Sequence, residues 1–167
     1  STTIQAAHSE EAWMASRTIG VCLIGQKFMG RAHSNAYLKA SKFFDLPVDP
    51  VMQTIVARDL TSLRAFAARW GWKHATTDWK SAVTSDDIGL VDVTTPNNKH
   101  LDFVLAALEA GKHVACEKPL AATLADARTM RDAARKARRS KTFVWYNYRR
   151  VPAVATAHQL ARDGALG

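Results

Sequence analysis

The glycine-flanked segment Gly25-Gln26-Lys27-Phe28-Met29-Gly30 has the residue types of a phosphate-binding turn. It follows an apolar run and precedes a segment of helical period, so its backbone N–H groups would be free at a helix N-terminus, where anions bind well. The usual G-x-G-x-x-G fingerprint has glycine where this chain has Lys27. That side chain must point away from the anion or bring its ammonium to it. The placement favours pyrophosphate binding over an ordinary strand-to-helix turn.

Arg58 and Asp59 end the next strand-like run, where a dinucleotide site reads the adenosine ribose. An acidic residue at the strand tip accepts from a ribose 2′-OH, whereas a small residue followed by arginine accommodates a 2′-phosphate. If Ala57 is the tip, Arg58 is left for the phosphate and NADP is favoured; if Asp59 is the tip, NAD is favoured. A third interpretation is a surface guanidinium that pairs with Asp59 or is simply hydrated.

Two later runs end in Thr94-Thr95-Pro96-Asn97-Asn98-Lys99-His100 and in Cys116-Glu117-Lys118-Pro119. A proline directly after a strand stops it and separates its last groups from the ladder. Glu117 and Lys118 are therefore expected at a strand tip. An ammonium there could orient a hydroxyl, polarise it or help a proton leave. The structural alternative is a salt bridge at the strand end.

Short apolar runs rich in Val, Ile and Thr alternate with segments of helical period, which predicts βαβ units and a parallel sheet. The predicted strands are Ile19 to Gly25, Val51 to Asp59, His74 to Asp78, Leu90 to Thr95, His113 to Glu117 and Thr142 to Asn147. The expected fold class is α/β, a doubly wound parallel sheet with helices on both faces. Its ligands would bind where strand order reverses, at the carboxyl ends of the strands.

The segments between the runs carry apolar residues at i, i+3, i+4 and i+7, which is the spacing of one helix face. The stripes are Met29, Ala32, His33, Ala36, Tyr37 and Ala40; Leu63, Phe66, Ala67 and Trp70; and Leu101, Val104, Leu105 and Leu108. Thr61 is the predicted N-cap of the second stripe, and Gly71 lies just beyond its end. Thr123 and Asp126 are typical of a pair that caps a further helix.

Length and composition indicate an ordinary globular domain. The chain has 167 residues, of which 47% are apolar and 23% charged, and no run approaches the roughly 20 apolar residues that cross a bilayer. Residues 1–17 lack the pattern of an export signal and are expected to be a poorly ordered leader. Cys22 and Cys116 lie in apolar runs, so we expect reduced core thiols in a cytoplasmic protein, and no metal site.

The formal net charge of +8 favours anionic partners. Much of the excess lies in one block with helical spacing: Arg128, Arg131, Arg135, Lys136, Arg138, Arg139 and Lys141. The block has no interleaved aromatic residues, which single-strand binders usually place among their basic groups. We therefore interpret it as a solvated helix face and expect neither a nucleic-acid partner nor a membrane.

The motifs together resemble the Gfo/Idh/MocA oxidoreductases, the family of glucose-fructose oxidoreductase and inositol dehydrogenase. The matching segments are GQKFMGRAHSN (25–35), VDVTTPNNKH (91–100), AGKHVACEKPL (110–120) and WYNYRRVP (145–152). They lie in register between Ile19 and about Gly167, and the E-K-P tripeptide is the most specific of them.

This resemblance implies a role for each motif. Gly25, Lys27, Phe28, Met29 and Gly30 would lie along the cofactor diphosphate, and Arg58 and Asp59 would lie by the adenosine ribose. Thr95, Pro96, Asn97 and His100 would line the dinucleotide cleft, and Asn147 and Arg149 would border the nicotinamide end. Glu117 and Lys118 would sit beside the nicotinamide ribose. Lys118 would also reach the substrate hydroxyl and is the one catalytic residue expected in this chain.

The resemblance also implies domains and an activity. Residues 18–150 would be a Rossmann-type NAD(P)-binding domain, and residues 151–167 would start a linker helix to a second α/β substrate domain that is absent from this chain. The activity would be hydride transfer between a sugar or cyclitol CH–OH group and NAD or NADP in a homo-oligomeric full-length parent, the fragment alone being inactive. The alternatives are a non-catalytic dinucleotide-binding module and an NAD-dependent glycosidase of the same family.

Overall fold

The computed structural model describes residues 18–166, which form a six-stranded sheet with helices on both faces. The strands are β1 (Thr18–Ile24), β2 (Asp49–Val56), β3 (His74–Thr76), β4 (Leu90–Val93), β5 (His113–Cys116) and β6 (Thr142–Val144). The α-helices are α1 (Phe28–Phe43), α2 (Leu60–Trp70), α3 (Trp79–Thr84), α4 (His100–Glu109), α5 (Leu124–Lys136) and α6 (Pro152–Arg162), and 3-10 turns cover Asn97–Lys99 and Asn147–Arg150. The predicted leader, residues 1–17, lies outside the described residues.

The strands are all parallel, in the order β3-β2-β1-β4-β5-β6. The chain moves outward from β1 to β3, returns to β4 beside β1, and then moves outward in the opposite direction. Strand order therefore reverses between β1 and β4, and the loops that follow these two strands diverge to leave a crevice. This order confirms the predicted doubly wound parallel sheet.

The two faces of the sheet carry separate apolar cores, because successive side chains of a strand point to opposite faces. In β1, Val21 and Leu23 pack with Leu63 of α2 on one face, whereas Cys22 and Ile24 pack on the other face with the cluster that α3, α4 and α5 cover. A strand buried on both sides needs a continuous apolar run. β1 has such a run from Val21 to Ile24 and lacks the alternation of a half-exposed strand.

Both cysteines are free and buried in these cores, as predicted. Burial is the main cause that raises the pKa of the Cys22 thiol to about 12, and the nearby negative charge of Asp92 adds to it. Burial likewise raises the pKa of Cys116 to about 12. A thiol that stays protonated is a poor nucleophile and a poor metal ligand, so these residues act as packing groups.

The strands end earlier than the sequence predicts. For example, β2 ends at Val56 rather than Asp59, and β4 ends at Val93 rather than Thr95. The residues that follow leave the ladder for turns and helix caps, which the apolar pattern does not distinguish from strand. The shortened strands bring these polar residues to the crevice.

Asp59, and not the predicted Thr61, caps the N-terminus of α2. Its Oδ1 accepts from the backbone N–H of Ser62 at 2.7 Å, and hydrogen bonds from Ser62 hold the pKa of the carboxyl below its usual value. A carboxylate is also favoured by the positive end of the helix. Gly71 ends α2 in the left-handed conformation, with φ of +80°, as predicted.

The face of α1 that meets the sheet is rotated from the predicted stripe. Gly30 and Ser34 are buried there, while Ala32 and Ala36 are exposed. The hydroxyl of Ser34 donates to the carbonyl of Gly30 at 2.7 Å and accepts from Nε1 of Trp72 at 3.0 Å. Gly30 and Ser34 are small, and the Ser34 hydroxyl is hydrogen-bonded, so α1 can lie closer to the sheet than His33 or Tyr37 would allow at these positions.

The basic block is only partly helical, because α5 ends at Lys136 and the last three basic residues follow in a turn. Its side chains are exposed, as expected for a solvated surface. Within residues 18–166, no helix is long and apolar enough to cross a membrane.

Thr123 provides a direct test of the helix ends. Its hydroxyl accepts from the N–H of Asp126 at 3.1 Å, which confirms the predicted capping pair. We expect Thr123→Ala to lower the free energy of unfolding by about 1 kcal/mol, because an orphan donor of α5 loses its acceptor. Thr123→Ser keeps the oxygen and should stay within a few tenths of a kcal/mol of the parent. Denaturant unfolding of the three proteins measures this, and equal losses in both variants would contradict it.

Candidate functional site

The turn between β1 and α1 contains two glycines at positions with no room for a side chain. Gly25 has φ of +120°, and a Cβ on it would lie 2.6 Å from Oγ1 of Thr94. A Cβ on Gly30 would lie 2.1 Å from the carbonyl oxygen of Gly25. The first turn of α1 therefore rests directly on the end of β1, the close approach for which glycine is required.

The N-terminus of α1 is open to an anion. Lys27 precedes the helix in extended conformation, no side chain caps it, and its first turn holds no acidic residue. The N–H groups of Phe28, Met29 and Gly30 have no intrahelical acceptor at this position. Together with the helix dipole they form the donor set that phosphates use. The side chain of Lys27 is exposed, so its ammonium is available to the same anion.

A cleft of about 680 Å³ opens at the carboxyl ends of β1, β2 and β4, where strand order reverses. The predicted site residues in its wall are Gly25, Lys27, Arg58, Asp59, Thr95 and Pro96. The rings of Trp79 and Phe103 meet edge to face, 4.9 Å apart between centroids, and also line it. Lys27 forms part of the wall and does not fill the space. The volume is in the range of small-molecule and cofactor sites.

Two buried oxygens in this cleft, Oγ1 of Thr95 and Oε1 of Gln26, have no hydrogen-bond partner among the described residues. The Gln26 amide is fixed in place, since its Nε2 donates to Oγ of Ser62 at 2.9 Å. Buried polar atoms in proteins are almost always paired. These atoms, with the bare helix N-terminus and the glycine pair, fit a ligand that has both phosphate and hydroxyl groups.

Arg58 and Asp59 lie side by side at the cleft but have different surroundings. The Asp59 carboxylate bonds to the N-terminus of α2, whereas Arg58 is exposed and forms no ion pair within residues 18–166. The interpretation of Arg58 as a partner of Asp59 is therefore wrong. Among the described residues the guanidinium has no ionic partner, which leaves it open to an anionic ligand or to water.

At the tip of β5, Glu117 is 5% exposed and Lys118 is exposed. Oε2 of Glu117 accepts from the backbone N–H of Lys118 at 2.9 Å, and Oε1 lies 3.2 Å from Nε2 of His33. Glu117 is thus paired with His33 rather than with the Lys118 ammonium. The alternative of a salt bridge at the strand end therefore holds for Glu117, with His33 as its partner when the ring is protonated, and not for Lys118. The ammonium of Lys118 remains free to contact a ligand.

His33 belongs to a buried polar cluster that sequence analysis missed, having assigned the residue to an apolar stripe. Asp92, in the middle of β4, is fully buried, and its Oδ2 lies 2.8 Å from Nδ1 of His33. The hydroxyl of Tyr37 donates to the same oxygen at 2.8 Å, and Nε1 of Trp145 donates to Oδ1 at 2.9 Å. The one available signal was an aspartate inside the apolar run Leu90 to Val93.

The carboxylates set the ionisation of their neighbours in this cluster. Burial by itself would lower the pKa of His33, but hydrogen bonds and charge from Asp92 and Glu117 outweigh burial and raise it. The pKa of Tyr37 is raised well above its usual value, first by burial and then by the charge of Asp92. The phenol therefore remains a donor throughout the physiological pH range.

Several predicted site residues lie away from the wall of the cleft. Phe28 is 70% exposed, and Met29 is half-buried. His100 is buried beneath the loops, with Nε2 2.8 Å from the carbonyl of Thr95 and Nδ1 3.1 Å from that of Leu120. Asn97 begins a 3-10 turn of which Asn98 and Lys99 line the cleft instead.

The structure places Asn147 and Arg149 on the exposed turn that follows β6. Within residues 18–166, no group of three or more His, Cys, Asp or Glu side chains is arranged to hold a metal ion.

This chain is similar in sequence to known proteins. The model of an oxidoreductase family with an NAD-binding Rossmann fold, GFO_IDH_MocA, matches residues 19–146. Levoglucosan dehydrogenase of Pseudarthrobacter phenanthrenivorans is 42% identical over 152 residues, which cover 90% of this chain and 39% of that protein. D-glucoside 3-dehydrogenase of Escherichia coli is 32% identical over 74% of this chain and 33% of its own length.

Solved structures agree with these matches. An oxidoreductase domain protein from Kribbella flavida superposes with a TM-score of 0.85 at 48% identity, over 90% of this chain and 41% of that one. Levoglucosan dehydrogenase in complex with NADH and levoglucosan superposes with a TM-score of 0.84 at 41% identity, with the same coverage of 90% and 41%. This chain thus spans between a third and about two fifths of the length of these relatives. The chain belongs to the Gfo/Idh/MocA oxidoreductase family, and it carries the family's N-terminal NAD-binding Rossmann domain.

Proposed function

We propose that this chain is the cofactor-binding part of an NAD(P)-dependent oxidoreductase that acts on a CH–OH group of a sugar or cyclitol. The observation that carries the proposal is the bare N-terminus of α1, which faces a cleft of about 680 Å³ where strand order reverses. A sugar substrate is supported by the relatives, one of which holds NADH and levoglucosan in its structure. Because the chain spans 39% of that dehydrogenase's length, turnover is proposed for the full-length protein and only cofactor binding for these 167 residues.

The cleft offers partners for the diphosphate of a dinucleotide and apolar surface for its rings. The N–H groups of the first turn of α1 and the Lys27 ammonium would hold the diphosphate, because a helix N-terminus and a nearby cation both stabilise an anion. The hydroxyl of Thr95, buried and without a partner among the described residues, would complete this set. The aromatic pair Trp79 and Phe103 offers apolar surface at the same wall.

Lys118 is the residue that would act on the substrate. When bound, the nicotinamide supplies the hydride chemistry, and the protein supplies orientation and charge. The exposed ammonium of Lys118 would donate a hydrogen bond to the substrate hydroxyl and lower the cost of removing its proton. Glu117 would act on this step through the backbone, since its carboxylate accepts from the N–H of Lys118 at 2.9 Å.

Titration of the chain with NAD and NADP, followed by tryptophan fluorescence, tests the proposal. Trp79 lines the cleft, so saturable quenching is expected with at least one dinucleotide. A short oligonucleotide should not compete with it. If no quenching is seen up to millimolar dinucleotide, and an oligonucleotide binds with a steep salt dependence, the basic surface and not the cleft is the binding site.

Arg58 is the residue that would select NADP over NAD. Its free guanidinium favours the 2′-phosphate of NADP, whereas the Asp59 carboxylate already accepts from α2. We expect Arg58→Ala to weaken NADP binding by about tenfold or more, the usual contribution of a hydrogen bond between ions, and to leave NAD binding unchanged. Arg128→Ala, on the exposed surface of α5, is the control for net charge. Equal losses for both dinucleotides in Arg58→Ala would contradict the assignment.

A further inference from the structure

The buried cluster around Asp92 connects the two halves of the site. Asp92 lies on β4 and is 0% exposed, yet both its oxygens are paired, with His33 and Tyr37 from α1 and with Trp145 after β6. The ring of Trp145 also packs edge to face on His33, 5.3 Å apart between centroids. One carboxylate therefore joins the helix that carries the phosphate turn to the outer strand of the sheet.

The ring of His33 faces a carboxylate oxygen at each nitrogen, Asp92 at 2.8 Å and Glu117 at 3.2 Å. A carboxylate only accepts hydrogen bonds, and a neutral imidazole has a single N–H. The ring can donate to Asp92 and to Glu117 at the same time only when both of its nitrogens carry a proton. In that state a single cation separates two buried carboxylates, which would otherwise repel each other in surroundings of low dielectric.

Glu117 links His33 to the backbone of Lys118, the proposed catalytic residue. Its second oxygen accepts from the N–H of Lys118 at 2.9 Å, so the carboxylate is held by His33 on one side and holds the Lys118 backbone on the other. We propose that His33 is a positioning residue, whose ring donates from both nitrogens to Asp92 and Glu117 and thereby fixes the turn that presents Lys118. For its role in catalysis this inference rests on the proposed function.

The groups that face the ring come from several elements. Asp92 of β4, Tyr37 of α1 and Glu117 after β5 contact the cluster directly, and the charge of Asp92 also reaches the Cys22 and Cys116 thiols. The thiols stay neutral, so two carboxylates face one imidazole, and this balance favours the doubly protonated ring. The raised pKa of His33 agrees with this geometry.

Nitrogen-15 NMR of the 167-residue chain tests the ring directly. Both ring nitrogens of His33 are expected to have the chemical shifts of protonated nitrogen at pH 7.5, where an ordinary histidine is mostly neutral. A ring with one protonated and one bare nitrogen at this pH would overturn the inference.

The positioning role is tested by hydrogen exchange at the N–H of Lys118. We expect Glu117→Gln and His33→Gln each to speed this exchange by roughly tenfold, since the carboxylate that holds the N–H is weakened or released. The matched control is Tyr37→Phe, which removes a different donor to Asp92 and should leave the Lys118 exchange rate within about twofold of the parent. If all three variants speed the exchange equally, the cluster contributes only to the overall stability of the fold, and the positioning role of His33 is overturned.

Dinucleotide titration of the parent chain, beside its NMR spectrum, separates the two proposals. If the parent shows the doubly protonated ring but does not bind NAD or NADP, the proposed function fails and the structural link stands. If the parent binds dinucleotide but the ring is neutral, only this inference fails. Should His33→Gln not fold, Glu117→Gln retains the imidazole and gives the same test of the Lys118 N–H.

Discussion

Gly30→Ala is expected to weaken dinucleotide binding by about a hundredfold or more, because helix N–H donors that are out of line lose their hydrogen bonds to the diphosphate. A Cβ at this position would lie 2.1 Å from the carbonyl oxygen of Gly25, and a backbone atom cannot move aside as a flexible side chain can. The first turn of α1 would have to shift away from β1, which would take its N–H groups out of line with the diphosphate. Overpacking of this kind also lowers the free energy of unfolding by about 1–3 kcal/mol.

The control for Gly30→Ala is Gly71→Ala, at the end of α2. Gly71 has φ of +80° but open space where a Cβ would lie, so alanine there should cost about 1 kcal/mol of stability through the backbone alone. Its dinucleotide affinity should equal that of the parent. Thermal unfolding and fluorescence titration of both variants separate the two effects. Near-parental affinity in Gly30→Ala would show that the turn does not hold the ligand.

Lys118→Ala in the full-length protein is expected to lower kcat by about a hundred- to ten-thousandfold, the range for loss of a general acid or base. The ammonium is exposed at the tip of β5, and no described side chain forms an ion pair with it. Since its proposed contact is with the substrate hydroxyl during the reaction, the Kd of the cofactor should change by no more than a few-fold.

Steady-state kinetics and cofactor titration of Lys118→Ala and Lys118→Arg measure this split. Arginine keeps the charge but changes the donor geometry, so it should recover little of the rate. Lys136→Ala, at the exposed end of α5, is the control for the loss of one surface lysine. A parental kcat in Lys118→Ala would remove this residue from the mechanism.

The sequence predicted the parts of the fold that depend on periodicity. A strand buried on both faces needs a mainly apolar run. β1 has one from Val21 to Ile24, and β4 has one that only Asp92 interrupts, so their place in a parallel sheet was evident. The glycine spacing of the β1–α1 turn was also informative, because a close approach of helix and strand tolerates no side chain at Gly25 or Gly30. The comparisons with known proteins confirm the fold class and the family.

The polar details could not be predicted, because they depend on partners distant in sequence. His33 and Glu117 are 84 positions apart, and Asp92 is 59 positions from His33. Neither an apolar stripe nor a strand pattern shows that three ionisable groups meet. Likewise, Thr61 and Asp59 are both residue types that cap helix N-termini. Which of them caps α2 depends on where the chain turns into the helix after β2, and the sequence pattern does not show this.

The central claim is that the N-terminus of α1 binds the diphosphate of a dinucleotide despite lysine at the position of the middle glycine. Backbone amide chemical shifts of the chain during titration with NADP test it most directly. We predict that the largest changes occur at the amides of Phe28, Met29 and Gly30 and that free adenosine, which lacks phosphate, does not reproduce them. Changes confined to the basic surface of α5, with the α1 amides unmoved, would contradict this account.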